Sequence, residues 1–435
     1  MKTKRLLSFL APLVCCATLF AGCSWNSVSV TSIEKTASYA TEDIYTVTYS
    51  DGTSSEFTVR HGNDVTVQDL FDRYKEEYGD SISYEEFLAK YLTLNADPSE
   101  AVVGKGLLSS FEIYSSNRSS SSTGSGVLYA VNEEKNDAYI VTNYHVTYIT
   151  NTYGGGSVAT QITCSLYGSA QTEFACTYMG GSAASDIALL RVSLSDIKAV
   201  NEGVKPVTLA SGYTVGETVY AIGNAEGEGI SATKGIVSVD SEDIYMEVDG
   251  TRRTHRAMRI DAAIYHGNSG GGLFNSNGEL VGITNGGDED DQNINYAIPL
   301  PVVKGTADNI LHYYANSSSS SMLGAYKITL GVTVESQNPR YVYDELAGKG
   351  HIEETLVVST VNTRSVASSM GLETQDILTE LIVNDTSFPL TRSYNIYDAL
   401  LTVRAGDKVS VKYTRAGEDR TSSVYTVTKS DLAKI

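Results

Sequence analysis

The sequence predicts a mainly β chain: a strand-rich central domain, a second β-rich domain with helical segments behind it, and a small α+β module in front. Three observations carry this. From about Ala101 to Asn316, short β-prone runs are broken by Gly, Ser and Asn with no helical stretch between them, which is the pattern of a sandwich or barrel. An uninterrupted serine run, Ser317 to Ser321, is flexible by composition and marks a boundary. At 435 residues the chain also exceeds one average domain. The divisions so read are a leader at 1–22, a tether at 23–40, an N-terminal module at 41–98, the central domain at 101–314, a serine-rich linker at 315–322 and the C-terminal domain at 323–435.

The leader comes first in the chain. Lys2, Lys4 and Arg5 precede an apolar run from Leu6 to Ala21, too short and wrongly flanked for a spanning helix, so it reads as a secretory signal. The run ends Leu19-Phe20-Ala21-Gly22-Cys23, and small residues directly before a cysteine resemble the lipobox of bacterial lipoproteins. That resemblance implies cleavage before Cys23, diacylation there, and an extracytoplasmic protein anchored to a membrane at the cell surface or periplasmic side. Phe20 stands where the motif usually has Leu, and the plainer alternative is a secreted protein cut nearby.

Charge and cysteine usage narrow the partners. The formal net charge is −20, and removing the leader takes away three cationic side chains and no acidic one. So acidic a surface excludes nucleic acid and electrostatic adhesion to anionic lipid, leaving the lipid chain as the membrane contact. With Cys15 and Cys16 in the leader, only Cys164 and Cys176 remain as thiols in the folded region, on either side of Gly168-Ser169-Ala170-Gln171. A disulfide across a hairpin and a reduced, half-buried pair both fit. No Cys/His cluster has metal spacing, and no cofactor is expected.

In the N-terminal module, Ile44 to Tyr49 and Glu56 to Val59 alternate around Asp51-Gly52 as a β-hairpin does. Two amphipathic helices should follow. Thr66-x-x-Asp69 opens one, with Leu70, Phe71, Tyr74 and Tyr78 on a face; Ser83-x-x-Glu86 opens the other, with Phe87, Leu88, Tyr91 and Leu92. The acidic residues around Asp80 lack the glycine and ligand spacing of a calcium loop. This module reads as a spacer or docking unit.

The central domain is organised around Asp261-Ala-Ala-Ile-Tyr-His-Gly267-Asn268-Ser269-Gly270-Gly271. A serine hydroxyl attacks a carbonyl only if a base takes its proton and nearby N–H groups hold the oxyanion, and flanking glycines let backbone amides approach closely. A glycine-rich turn between strands is the bland alternative. Of six histidines, only His145 ends a strong strand, Ala138 to Thr142, where a base would be rigidly held. His266, three residues before Ser269, is expected to line the cleft or face solvent. Asp186, directly before the apolar run Ile187 to Leu190, is the candidate carboxylate to orient the imidazole. The order His, Asp, Ser is one of the known triad orders.

Seven motifs extend this. Thr123-Gly-Ser-Gly-Val127, Ile140 to Val146, Ser185 to Leu190, Gly216 to Asn224, Thr233 to Ser238, Asp261 to Gly271 and Tyr296-Ala-Ile-Pro299 occur in this order in HtrA-like (Deg-type) serine proteases of the trypsin/chymotrypsin clan, which the chain resembles over about half its length. The resemblance implies two six-stranded β-barrels with the triad at their junction. It implies His145 as general base, Asp186 as its orienter, Ser269 as nucleophile, and the N–H groups of Gly267 and Ser269 as the oxyanion hole. Ala225, His266 and Gly272 each stand where the family often has Pro, which loosens the loops shaping that hole. By position in the clan, Ala263 is the floor of the specificity pocket and Ile294 a wall. A floor without a carboxylate implies a small or medium aliphatic preference rather than a tryptic one. The acidic run Asp288 to Asp291 is read as a solvated loop beside that pocket.

Beyond the serine run, Ile328-Thr-Leu330-Gly331-Val332 resembles the carboxylate-binding loop of a PDZ domain, although Thr329 replaces the usual aromatic. Ser365 to Leu378, Ala399 to Leu401 and Ala405 to Arg415 complete the likeness. It implies an α+β PDZ-like domain in which Leu330, Gly331 and Val332 receive C-terminal peptides by β-augmentation. The expectation is then a lipid-anchored serine endopeptidase acting on unfolded or extended polypeptides, with a catalytically silent peptide-binding sensor or holdase as the rival. Trimers are common in the family, but the N-terminal module does not resemble the usual trimer-forming segment, so the oligomeric state stays open.

Overall fold

The computed structural model describes residues 30–38, 42–60, 67–79, 83–84, 87, 97–118, 120–151, 155–169, 171–288, 291–315, 324–344 and 349–435. The leader with Cys23 and most of the serine-rich linker lie outside them, as do most of the second helix expected after Ser83. The chain is mainly β and divides into two compact units. One holds the described residues up to Asp97, and the other holds the described residues from Pro98 onward.

In the first unit, Glu42–Tyr49 and Ser54–Arg60 pair antiparallel. Their turn is closed by Gly52 N–H on Tyr49 O at 3.0 Å and by Thr53 N–H on the Asp51 carboxylate at 2.9 Å. The expected tether is corrected in part, because Val30–Ser38 is a strand along the free edge of this hairpin. Its backbone hydrogen-bonds with Glu42–Tyr49 instead of with water, which makes a strand of this segment. The helix Val67–Tyr78 follows, and Phe71 packs its ring against Tyr84 and Phe87 at 5.1 and 5.2 Å.

The second unit begins with the helix Ser99–Leu107 and then builds two barrel-like sheets. In spatial order the first sheet runs Phe174–Ala175, Gln161–Leu166, Ser110–Ser116, Ser121–Asn132, Asp137–Thr142, Ile187–Ser193, Thr177–Ser182. Its interior is packed by Phe111, Ile113, Leu128, Ile140, Val146 and Leu190. In the second sheet, Asp291–Pro299 pairs with both Arg252–Ile260 and Glu279–Asp288, so the path through Gly272–Asn275, Thr218–Gly223 and Ser231–Glu247 closes on itself as a six-stranded ring. Closure removes the sheet edges and fixes where each strand end emerges.

The expectation of no helical stretch in the central domain is overturned by Leu300–Ala315. Pro301 lies in its first turn, where the missing N–H costs nothing, and Val303, Ala307 and Ile310 recur on a buried face. This helix is shared with the C-terminal part. Gly305 leaves room for Leu401, whose side chain a Cβ would meet at 2.7 Å, and Asn309 bonds Tyr326 through both backbone N–H and carbonyl. The C-terminal sheet runs Val332–Asp344, Lys349–Val361, Ile377–Val383, Lys408–Arg415, Glu418–Thr421, over a core of Ile328, Leu356, Val358, Met370, Leu381 and Val411. The helices Val366–Met370 and Ser393–Leu400 complete it.

Candidate active site

The strand Asp137–Thr142 buries Ala138, Ile140 and Val141 and runs out at Asn143, after which the short helix Tyr144–Thr147 presents His145. Asp186 sits in the turn before Ile187–Ser193 with φ +48, a left-handed conformation that Asp tolerates better than most residues. The turn is held in place: Asp186 O accepts from Tyr144 N–H at 3.1 Å and from Asn143 Nδ2 at 2.9 Å. Adjacent strand pairing of Ala188 with Thr142 brings the two segments side by side.

The Asp186 side chain is fully buried. Its Oδ1 accepts from the His145 backbone N–H at 2.9 Å, and its Oδ2 accepts from His145 Nδ1 at 2.7 Å and from Asn285 Nδ2 at 2.6 Å. A carboxylate can only accept, so Nδ1 carries the proton and Nε2 is left as the basic nitrogen. Burial alone would lower the basicity of His145. The charge of Asp186 and its hydrogen bond outweigh that, and the pKa lies above the ordinary imidazole value.

Ser269 is set on a turn that tolerates almost no added atoms. Gly267 has φ +91, and a Cβ there would lie 2.1 Å from Asn224 O; Gly270 has φ +88, and its Cβ would lie 2.2 Å from Ser125 O. Ser125 ties the turn to the first sheet, donating Oγ–H to Gly267 O at 2.7 Å and N–H to Ser269 O at 2.8 Å. Thr284 Oγ1 donates to Asn268 O at 2.6 Å from the other side. The N–H groups of Gly267 and Ser269 have no acceptor among the described residues. His266 O accepts from Glu226 N–H at 2.6 Å, so the trans peptide turns Gly267 N–H away from that loop.

His145, Ser269 and Ala263 line one cleft of about 410 Å³, together with Met246, His266 and Asn295. Among its described lining residues there is no carboxylate. His266 is exposed there, as expected. Ile294 is not part of the lining: the neighbouring Asn295, paired with Gly287, takes the place. A one-residue difference on a strand moves a side chain to the opposite face, and clan position alone did not carry that register. Met246 arrives from the end of the distant strand Ser231–Glu247, which forms a hairpin with Arg252–Ile260, and has no local sequence signal. The side chains of the acidic run at 288–291 lie outside the described residues.

Sequence reasoning also missed Asn285, 2% exposed, which joins Asp186 to the serine turn: the Ser269 hydroxyl donates to Asn285 O at 2.7 Å. Its one trace was a polar Thr-Asn pair closing the apolar run Leu280 to Ile283.

Elsewhere, Cys164 and Cys176 are free thiols, the first buried and the second half-buried; contact with Cys176 and burial push the Cys164 thiol up. Leu330 is buried, Gly331 has φ +77, and their carbonyls accept from Ala367 and Asn362 N–H. The N–H groups of Leu330 and Gly331 have no acceptor among the described residues. Val332 starts a strand, Val332–Asp344, that among the described residues is an edge, paired on one side with Lys349–Val361. No described helix is long and apolar enough to cross a membrane, and no described cluster of His, Cys, Asp and Glu could hold a metal ion.

Residues 124–283 match the trypsin-like peptidase domain family. The chain is 30% identical over 346 residues to the serine protease Do-like HtrA of Bacillus subtilis (strain 168), covering 75% of this chain and 70% of that protein. To the serine protease Do-like HtrA of Lactococcus lactis subsp. lactis (strain IL1403) it is 27% identical over 314 residues, 70% of each. Among solved structures it is similar in fold to the HtrA-type protease AlgW with tripeptide, at a TM-score of 0.52 and 24% identity over 77% of this chain and 97% of that one.

Proposed function

The chain belongs to the HtrA-type, trypsin-like serine protease family and is a serine endopeptidase, and from that premise we propose that His145, Asp186 and Ser269 are its catalytic triad. The observation that carries the assignment is the 2.7 Å bond from His145 Nδ1 to a buried Asp186 carboxylate, with Ser269 on the same cleft. His145 Nε2 takes the Ser269 proton as Oγ attacks the substrate carbonyl. The N–H groups of Gly267 and Ser269 hold the oxyanion, and His145 returns the proton to the leaving amine. Water activated by His145 then hydrolyses the acyl-enzyme. No cofactor takes part.

The remaining roles are part of the same proposal. Export and lipidation at Cys23 would place the enzyme outside the cytoplasm on a membrane, the reading supported by its leader. Unfolded or extended polypeptides are its substrates, since a scissile carbonyl reaches Ser269 only on a segment free to enter the cleft. Residues 323–435 act as a PDZ-like domain, in which the free N–H groups at Leu330 and Gly331 beside an edge strand favour capture of C-terminal peptides. A cleft lined by Ala263 with no described carboxylate favours aliphatic residues on the acyl side.

The test is fluorophosphonate labelling of the purified protein beside Ser269→Ala and His145→Ala. Labelling lost in both variants supports the triad, whereas persistent labelling of Ser269→Ala would place the nucleophile elsewhere.

A further inference from the structure

We propose that the cavity where the barrels meet the C-terminal part is a binding site for an alkylammonium group, held by Glu242 and His255. The cavity measures about 560 Å³, and Ser185, Glu242, His255, Arg256, Glu354 and Tyr397 are among the residues around it. It shares no lining residue with the cleft that holds Ser269, so the site stands apart from the triad. Pairing of Glu242 with Ala257 and of Ile244 with His255 sets Glu242 and His255 on one face of their hairpin. Ala257, opposite Glu242, adds only a methyl there.

Both residues have buried atoms without a hydrogen bond among the described residues. His255 is 3% exposed, and neither ring nitrogen has a partner. Burial lowers its pKa and keeps the ring neutral at pH 7, so one nitrogen is a bare acceptor. Glu242 Oε1 has only Arg259 Nε nearby, at 3.6 Å, too far for a hydrogen bond. Buried polar atoms in native proteins are paired with few exceptions, and two unmet acceptors on one cavity wall call for a donor.

Charge decides which donor. The lining carries the carboxylates of Glu242, Asp243 and Glu354 against the guanidiniums of Arg256 and Arg392. Both guanidiniums are already committed, Arg256 to Asp398, Ser241 Oγ and Tyr213 OH, and Arg392 to Asp240 and Glu354. With these partners and Arg259 included, five carboxylates face three guanidiniums, so an anion is repelled and a cation is drawn in. No described cluster of His, Cys, Asp and Glu could hold a metal ion, which leaves an organic cation. An ammonium carries three N–H donors on a compact charge, enough for Glu242 Oε1 and the bare His255 nitrogen together. Its alkyl stem lies against Val302 and Tyr397. Because Glu354, Arg392 and Tyr397 close the cavity from the C-terminal side, an occupant also fastens that part to the barrels.

The experiment titrates the full chain calorimetrically with n-butylammonium, and with butyrate and tetramethylammonium at equal ionic strength. n-Butylammonium should bind saturably and raise the thermal midpoint as its concentration grows, and the other two should do neither. Butyrate binding in its place, equal binding of tetramethylammonium, which has no N–H, or no saturable n-butylammonium binding would each overturn the proposal. In wild-type protein with ¹⁵N-labelled imidazole, n-butylammonium should move the bare His255 nitrogen to its hydrogen-bonded position. An unmoved signal at saturation would put the cation elsewhere and overturn the site. Glu242→Gln should weaken binding about tenfold, the loss of roughly one charge-assisted hydrogen bond, and unchanged affinity would overturn the role of Glu242. The imidazole readout needs no variant, so it stands even if Glu242→Gln does not fold. Putrescine and N-acetyl-lysine amide separate the two sources of the group, a free amine and a lysine side chain. The tighter binder identifies the occupant, and rejection of both would overturn an alkylammonium as the natural one.

Discussion

The Arg256 guanidinium lies 3.7 Å from the centroid of the Tyr394 ring and forms an ion pair with Asp398, so a strand of the second barrel is fastened to the Ser393–Leu400 helix of the C-terminal part. Arg392 makes a parallel contact, bonding Asp240 and, at 3.0 Å, Glu354. Both arginines are about nine-tenths buried. Removing one partner of a buried pair leaves the other charge desolvated and costs about 3 kcal/mol or more. Asp398→Asn should therefore lower the thermal midpoint and split calorimetric unfolding into two transitions as the C-terminal part uncouples. A single transition at the wild-type temperature would show that the contact carries no load.

The pH profile of hydrolysis should report His145. Because Asp186 holds its pKa above the ordinary imidazole value, activity should fall with decreasing pH through a midpoint above about 6.5. Asp186→Asn removes the charge and favours the wrong tautomer. It should cost about 10⁴-fold in kcat, the loss known for the same change in the template triad, and move the residual acid limb downward.

His255 gives the opposite sign in stability. It is 3% exposed and neither ring nitrogen has a partner among the described residues; burial lowers its pKa, with Asp186 opposing and Arg253 and His145 adding to the depression. The unfolded chain then binds a proton near pH 6.5 that the folded one refuses. Stability is lost as pH falls below that point, by at most about 1.4 kcal/mol per pH unit from this group. His145, with its raised pKa, acts in the other direction, so the comparison to make is wild type against His255→Gln. Midpoints from chemical denaturation should diverge below pH 6.5, the variant losing less, and parallel curves would contradict the account.

Gly331 offers a test of the C-terminal part alone. With φ +77, a Cβ there would meet Ser365 Cβ at 2.4 Å, so Gly331→Ala must distort the loop that presents the free N–H groups. Calorimetric titration with a C-terminal peptide should show about tenfold weaker binding, the loss of roughly one charge-assisted hydrogen bond. Hydrolysis of a short anilide should be unchanged. Equal affinity would move the peptide site away from Leu330, Gly331 and Val332.

By itself the sequence determined the mainly β class and the segments carrying His145, Asp186 and Ser269, because each obeys a local rule. A strand must end where a base is presented, a carboxylate must precede a strand to be tethered, and glycines must flank a turn whose Cβ atoms would strike Asn224 O and Ser125 O. Only the tertiary structure decided the rest. Asn285 is selected by a bulge whose register depends on a strand that follows it, Asn295 rather than Ile294 faces the cleft because pairing sets the face, and Met246 arrives from a hairpin. Val30–Ser38 became a strand because a neighbour offered an open edge. Local chemistry is written residue by residue, whereas register, edge pairing and the meeting of distant side chains follow from how the chain closes on itself.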